Sequence, residues 1–332
     1  MVSSEPGPDR PPAFDEAAGP GAPPKTVGAR ISDWLRRPLA VVRLEIVRIV
    51  APVAILGFMS DRLAHADEWL GNQAFRPPPY YGDWRVTLHI PAVPPNVAWA
   101  IAAAMVLSGL ATSLGLKTRW SGLLFTATLI FVALSDHLTS FTVTKIGPVV
   151  MLTVVSGPAG SRLGLDAWRR RQQGWKRPKK TRPLEGVRFL QLFLAVVYCA
   201  SGIAKARGDW LTYPLVLWTQ LHDSYETAVT FALASVLPAW VWTFLQGLVL
   251  TFEVFAPLWF ALPRTRPFAL LIALGMHVMI GLMFGPVVWF ALLMITLLVA
   301  AYMPDSLLTP VEALATRLER LPGRFNRGTT GR

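Results

Sequence analysis

The sequence predicts an all-α, polytopic transmembrane helical bundle of about eight spans, with the N- and C-termini both in the cytoplasm. Of its 332 residues, 53% are hydrophobic and 16% are charged, whereas a typical soluble domain has about 25% charged residues. Eight apolar segments approach the ~20 residues that cross a bilayer, and Lys and Arg concentrate in the connections on one side. The single cysteine, Cys199, excludes an internal disulfide and a zinc site built on several cysteines.

The chain divides into three regions. Residues 1–30 form a Pro- and Gly-rich tail that we expect to be disordered, because almost nothing in it can be buried. It does not resemble a signal peptide, since no apolar stretch follows a basic start. Residues 31–304 form the transmembrane domain, which begins with a short interfacial helix at 31–39. Residues 305–332 form a basic cytoplasmic tail.

The predicted spans follow from runs of apolar residues. They lie at residues 41–59, 97–116, 121–139, 141–157, 187–205, 239–262, 267–284 and 287–303. The first contains Arg43, Glu45 and Arg48, and the fourth contains Lys145. Segment 228–237 is apolar but short, and Pro238 separates it from the sixth span. We therefore predict that this segment is interfacial or re-entrant.

The basic residues set the predicted orientation. Residues 162–188 contain ten Lys or Arg, and this loop, those at 117–120 and 263–266, and the tail all lie on one side, which the positive-inside bias makes cytoplasmic. We expect a multi-pass protein of the plasma or inner cell membrane. The basic run at 169–182 is expected to contact anionic lipid head groups of the bilayer. A nucleic-acid partner is not expected, because no aromatic interleaving or binding motif accompanies the charge.

Ionisable side chains at membrane depth are costly and therefore mark candidate sites. Glu45 and Arg48 are three residues apart and can pair on one helical face near the cytoplasmic boundary. The remaining candidates are His137, Lys145, Lys205, Glu253 and His277.

Glu253 and His277 are predicted to lie at one depth. Each is about twelve residues from the turn at 262–267, which corresponds to ~18 Å at ~1.5 Å per residue. A carboxylate and an imidazole at one depth can pair. Such a pair is a clamp between two helices, a proton relay or a pair that positions a cofactor.

Lys205 lies at the outer end of the fifth span. The small residues before it allow a helix or ligand to approach the backbone closely; they are Ala200, Ser201, Gly202 and Ala204. Lys205 either extends to the head groups or, enclosed by helices, acts as a neutral base. His137 falls on the same membrane face, and Lys145 is a competing base. The outer loops at 60–96 and 206–238 are predicted to cap a cavity that opens to the outer side.

Seven short motifs occur in a specific order. They are Arg48 in the first span, Leu114-Gly115-Leu116 followed by Arg119, Asp136-His137, Leu165-Asp166 followed by the Arg run at 169–171, Tyr198 with Gly202, Lys205, Asp209 and Trp210, Glu253 in the sixth span, and His277 followed by Phe284-Gly285 and Phe290. Over about residues 40–304 this order resembles the membrane domain of the vitamin K-dependent gamma-carboxylase, also called the HTTM domain. Asp136 departs from the pattern, because the family has Asn there.

The resemblance implies a function. In that family a lysine deprotonates reduced vitamin K, which then reacts with oxygen to give an epoxide and a strong base, so that carbon dioxide adds to a glutamate side chain. Carried over, Lys205 is the catalytic base and His137 its supporting residue, while Glu253 and His277 are candidates for the quinone pocket. The implied cofactor is reduced vitamin K or menaquinol, and no metal is expected. An enzyme of this kind is a carboxylase- or epoxidase-like lyase.

Two other functions stay open. The carboxylase has a large extramembrane domain after its helices, whereas 29 residues follow Met303 here. The same scaffold therefore also suits a non-catalytic accessory or immunity-type protein with a membrane or secreted protein partner. A proton-coupled transporter using Glu253 and His277 ranks last, because no inverted repeat is visible.

Overall fold

A computed structural model describes residues 26–71, 92–135, 142–176, 178–222 and 226–320. Within these ranges the chain is a bundle of α-helices with one two-stranded antiparallel sheet. The strands are β1 (Pro38–Ala40) and β2 (Thr181–Pro183), with Leu39 opposite Arg182. The helices are α1 (Val27–Arg36), α2 (Val42–Ala64), α3 (Ala66–Trp69), α4 (Pro95–Leu114), α5 (Thr118–Ser135), α6 (Thr142–Ser156), α7 (Leu165–Gln172), α8 (Glu185–Arg207), α9 (Val216–Leu221), α10 (Ala228–Val236), α11 (Ala239–Val254), α12 (Ala256–Ala261), α13 (Arg266–Met283), α14 (Val288–Tyr302) and α15 (Asp305–Arg320).

Five described helices are long and apolar enough to cross a membrane, as expected for a multi-pass protein. They are α4, α5, α8, α13, and α14 with the short 3-10 turn Gly285–Val287 before it. A sixth is reached if α10 and α11 count as one span, but the helix axis bends by 117° between them. Pro238 lies in this bend, as the separation of segment 228–237 from the sixth span predicts. The count of eight spans and the orientation of the termini stay predictions.

Helix α2 lies at the centre of the bundle, which explains how it tolerates charge. It packs against α4, α6 and α14, and Val47, Ala51, Ile55 and Met59 are fully buried. The charged side chains in its first two turns, Arg43, Glu45 and Arg48, are buried and therefore face protein rather than lipid.

The predicted sixth span, 239–262, is two helices in the structure. Helix α11 ends at Val254, and α12 begins at Ala256. Pro257 has no backbone N–H, so the carbonyl of Glu253 cannot make its regular helical hydrogen bond. The span therefore breaks immediately after its buried carboxylate.

The predicted pairing of Glu45 with Arg48 is confirmed, at 2.8 Å between Arg48 Nε and Glu45 Oε2. Arg48 also donates to the carbonyls of Thr112 and Ser113 at the end of α4 and of Leu163 in the loop between α6 and α7. The Glu45 carboxylate accepts backbone N–H groups of that same loop, at 160 and 162. The pair therefore fastens α2 to the end of α4 and to the loop between α6 and α7.

Two of the family-like motifs meet beside this pair. Gly115 ends α4 with φ of +72°, and a Cβ there would lie 2.7 Å from the Cα of Gly164. Asp166 accepts the backbone N–H of Lys117 at 2.5 Å. Glycine at 115 is thus required both by the left-handed turn and by the close approach of the second chain segment.

Residues 305–320 of the predicted basic tail form α15, which is fixed to the bundle. Arg162 is buried and donates to Glu312 and Glu319 at 2.7 Å each. These two carboxylates are seven residues apart and share a helical face. Leu308 and Ala315 of the same helix are also buried.

Candidate functional site

A cavity of about 680 Å³ lies between α6, α8, α11, α13 and α14. It brings together four of the predicted site residues, namely Lys145, Lys205, Glu253 and His277. The other lining side chains are mostly apolar; they include Ile146, Phe193, Val197, Met276, Ile280, Phe290 and Met294. The structure therefore places ionisable groups in the wall of an apolar cavity within the bundle.

Lys205 and Glu253 form an ion pair across α8 and α11. Lys205 Nζ lies 2.5 Å from both carboxylate oxygens of Glu253. The Glu253 side chain is 6% exposed and that of Lys205 is 27% exposed. The predicted partner of Glu253, His277, lines the same cavity, but the pairing prediction was wrong: the carboxylate pairs with Lys205.

His277 instead has Tyr198 as its partner. The Tyr198 hydroxyl and His277 Nε2 are 2.7 Å apart, and both side chains are buried. The ring of Phe290 lies edge-on to the imidazole, with centroids 5.5 Å apart. His277 Nδ1 is buried and has no hydrogen-bond partner within the described part of the chain. The imidazole is thus held by one nitrogen and has its other nitrogen free.

The spacing of the family-like motif on α8, which includes Tyr198, Gly202 and Lys205, has a geometric explanation. Tyr198, Gly202 and Lys205 are spaced four and three residues apart and therefore share one face of the helix. A Cβ at Gly202 would lie 2.9 Å from both the carbonyl carbon and the Cβ of Glu253, and 2.5 Å from the N of Val254. The predicted close approach at this small-residue stretch is confirmed, and it brings Lys205 within reach of Glu253.

The segment after α8 also contacts the lysine. Lys205 Nζ lies 4.9 Å from the centre of the Trp210 ring, in a cation–π arrangement. Gln246 of α11 is buried and donates to the carbonyls of Trp210 and Tyr213 at 2.8 Å, while its own carbonyl accepts the N–H of Leu217 at 3.0 Å. Gln246 was not among the predicted site residues, although an amide at membrane depth, seven residues before Glu253 on the same helical face, is a detectable signal.

Of the two other predicted site residues, Lys145 and His137, only Lys145 lies within the described residues. Lys145 of α6 lines the cavity and has no ion-pair or hydrogen-bond partner within the described ranges. His137 lies outside the described residues, together with Asp136, so its proximity to Lys205 stays a prediction. Much of the outer loop at 60–96 is also outside these ranges, whereas the loop at 206–238 reaches the site through Trp210. The described residues contain no group of three or more His, Cys, Asp or Glu that could hold a metal ion.

Comparison with known proteins gives one match. The family model of the HTTM domain matches residues 37–305, which confirms the resemblance seen in the motifs. Searches of curated proteins and of solved structures found no significant match. The matched region includes every described side chain of the cavity.

Proposed function

The chain belongs to the HTTM-domain family, and from that premise we propose that it is a quinol-using membrane enzyme with epoxidase- or carboxylase-type chemistry. The observation that supports this proposal best is the Lys205–Glu253 pair in the wall of the cavity. The proposed membrane is the plasma or inner cell membrane.

The cavity suits a reduced quinone. Its volume of about 680 Å³ falls in the ~300–1,000 Å³ range of small-molecule sites. Phe193, Met276 and Phe290 offer an apolar surface for a ring system, and His277, whose buried Nδ1 has no hydrogen-bond partner among the described residues, lines the same cavity. When bound, reduced vitamin K or menaquinol supplies the hydroquinone whose oxidation by oxygen drives the reaction of this family.

Glu253 allows Lys205 to act as the base. In a low-dielectric site, transfer of one proton from Nζ to the carboxylate replaces two charges by two neutral groups, which removes their desolvation cost. The contact of 2.5 Å means that this transfer needs no movement of heavy atoms. The neutral Nζ, the more exposed partner of the pair, can then take a proton presented from the cavity. The resulting ammonium stabilises a negative charge that forms beside it.

Tyr198 and His277 are proposed to position what binds in the cavity. The hydrogen bond between the Tyr198 hydroxyl and His277 Nε2 fixes the imidazole ring and leaves Nδ1 as the nitrogen that this bond does not use. We retain His137 as the proposed supporting residue for Lys205, as the family resemblance implies.

The test is epoxide formation by the purified protein in lipid nanodiscs, with reduced vitamin K or menaquinol and oxygen, followed by chromatography. Lys205→Met should abolish the activity. Lys145→Met is the matched control, because it removes a second lysine from the same cavity, and it should retain activity. If the control is inactive and Lys205→Met is active, the assignment of the base is wrong; if the wild-type protein forms no epoxide with either quinol, the enzyme proposal fails.

One observation favours a second candidate, a non-catalytic protein that acts with a membrane or secreted protein partner. Lys205 Nζ contacts both oxygens of Glu253, so the pair also serves as a clamp between two helices. Replacing both residues by methionine removes the proton chemistry, and an apolar pair often substitutes for a buried ion pair without loss of stability. A stoichiometric partner that co-purifies equally with this double variant and with wild type would support the non-catalytic function.

A further inference from the structure

A second cavity, of about 520 Å³, lies at the end of the bundle where α2 and α8 begin and α14 ends. Three arginines line it, namely Arg43, Arg188 and Arg266. One wall is apolar and is formed by leucines of α13, including Leu270 and Leu274. The pocket therefore combines guanidinium groups with a hydrocarbon surface.

Only part of this positive charge is compensated. Arg43 pairs with Asp305 at 2.5 Å. Arg188 donates to the neutral amide of Gln191 at 3.2 Å, and Arg266 donates to backbone carbonyls at 260 and 261. Within the described ranges neither Arg188 nor Arg266 has a carboxylate partner. Among the described residues, two positive charges of the pocket thus have no directly paired carboxylate.

Arg188 is the more informative of the two. It is 8% exposed, and its Nε is buried without a hydrogen-bond partner in the described part of the chain. The ring of Trp34 lies 5.0 Å from its guanidinium carbon, and Gln191 is itself fixed by a 2.5 Å bond to the carbonyl of Ala301. A buried charge with an unused donor is unfavourable until an anion offsets it.

The chemistry of the pocket identifies the class of anion. Guanidinium groups bind phosphate oxygens through several donors in a fixed geometry. The leucine wall adds a surface for an acyl chain, and the pocket opens at a helix end rich in basic residues, where anionic lipid head groups bind. We propose that this pocket binds a phosphate group carried by an anionic membrane lipid, with Arg188 and Arg266 as its ligands.

The test is thermal unfolding of the full chain in a neutral detergent with added phosphatidylglycerol, phosphatidylcholine or inorganic phosphate. Phosphatidylglycerol should raise the melting temperature most. Arg188→Gln should weaken its apparent affinity about tenfold or more, which is the order expected for a lost hydrogen bond to a charged group. Arg169→Gln is the control, because it removes the same charge from an exposed position on α7 near the same end and should not alter the lipid response.

The outcomes separate binding from a structural role. Without lipid, Arg188→Gln should melt no lower than wild type, since it removes an uncompensated charge, and Arg266→Gln provides a second variant with the same expected loss of lipid response. A response to inorganic phosphate alone that depends on Arg188 would support the phosphate site and assign it to a soluble anion. An undiminished response to phosphatidylglycerol in both variants would overturn the proposal.

Discussion

Replacing Gly202 with alanine tests the contact on which the candidate site depends. The added Cβ would lie 2.5 Å from the N of Val254 and 2.9 Å from atoms of Glu253. Ordinary contact begins at 3.4 Å, so α8 and α11 must separate by about 0.9 Å, the difference between these distances. Two of the three atoms belong to the backbone and cannot rotate away.

The expected cost follows from two opposing effects. Overpacking of a tight contact costs roughly 1–3 kcal/mol, whereas alanine in place of glycine favours the helix by roughly 0.5–1 kcal/mol. Gly202→Ala should therefore lower the free energy of unfolding by about 1 kcal/mol, and by ~2.5 kcal/mol at most. Gly247→Ala, on α11, should be neutral or stabilising, because nothing lies within 4 Å of its added Cβ.

The measurement is thermal unfolding of both variants in the same detergent, with epoxide formation as a second readout. Gly202→Ala should melt below wild type and lose activity, because the separation also lengthens the contact between Lys205 and Glu253. If Gly202→Ala melts as high as Gly247→Ala, the close approach of α8 and α11 is wrong, and with it the geometry of the pair.

Three further variants test other contacts. Arg48→Met leaves the buried Glu45 uncompensated and should cost about 3–5 kcal/mol in thermal unfolding; a variant as stable as wild type would contradict the network. Tyr198→Phe removes the partner of His277 and should lower the free energy of unfolding by about 1–3 kcal/mol. It should also raise the KM for quinol, because the imidazole is no longer held in place; an unchanged KM would show that Tyr198 acts through packing alone. Arg162→Gln should release α15, so that limited proteolysis cuts between α14 and α15 faster than in wild type, and equal cutting rates would show that other contacts hold this helix.

Features of single helices predicted part of the site. The small residues around Gly202 predicted that a neighbour approaches α8 closely at this point, which the structure confirms. Glu45 and Arg48 are three residues apart in one helix, and this spacing predicted their pairing. In both cases the signal is contained in a single helix.

The partner of Glu253 could not be predicted in this way. Counting from the turn places Glu253 and His277 at one depth, but depth does not fix the rotation of a helix about its axis. In addition, the helix breaks after Val254 because of Pro257, so the orientation of α11 does not follow from that of α12, which leads to the turn. The pairings of Arg162 with α15 were equally inaccessible, because they join residues 150 or more positions apart.

The proposed quinol cavity and the proposed lipid pocket both include a residue of α8, and we nevertheless expect them to act independently. Arg188 and Lys205 are seventeen residues apart on α8, which places them about 26 Å apart along its axis. Variants more than ~7–10 Å apart with no shared partner usually act additively, and the described partners of the two residues differ. Arg188→Gln should therefore weaken the response to anionic lipid while epoxide formation at saturating quinol is retained, and Lys205→Met should abolish epoxide formation while the lipid response is retained. Loss of both properties in either variant would show that the lipid site and the cavity are coupled through α8.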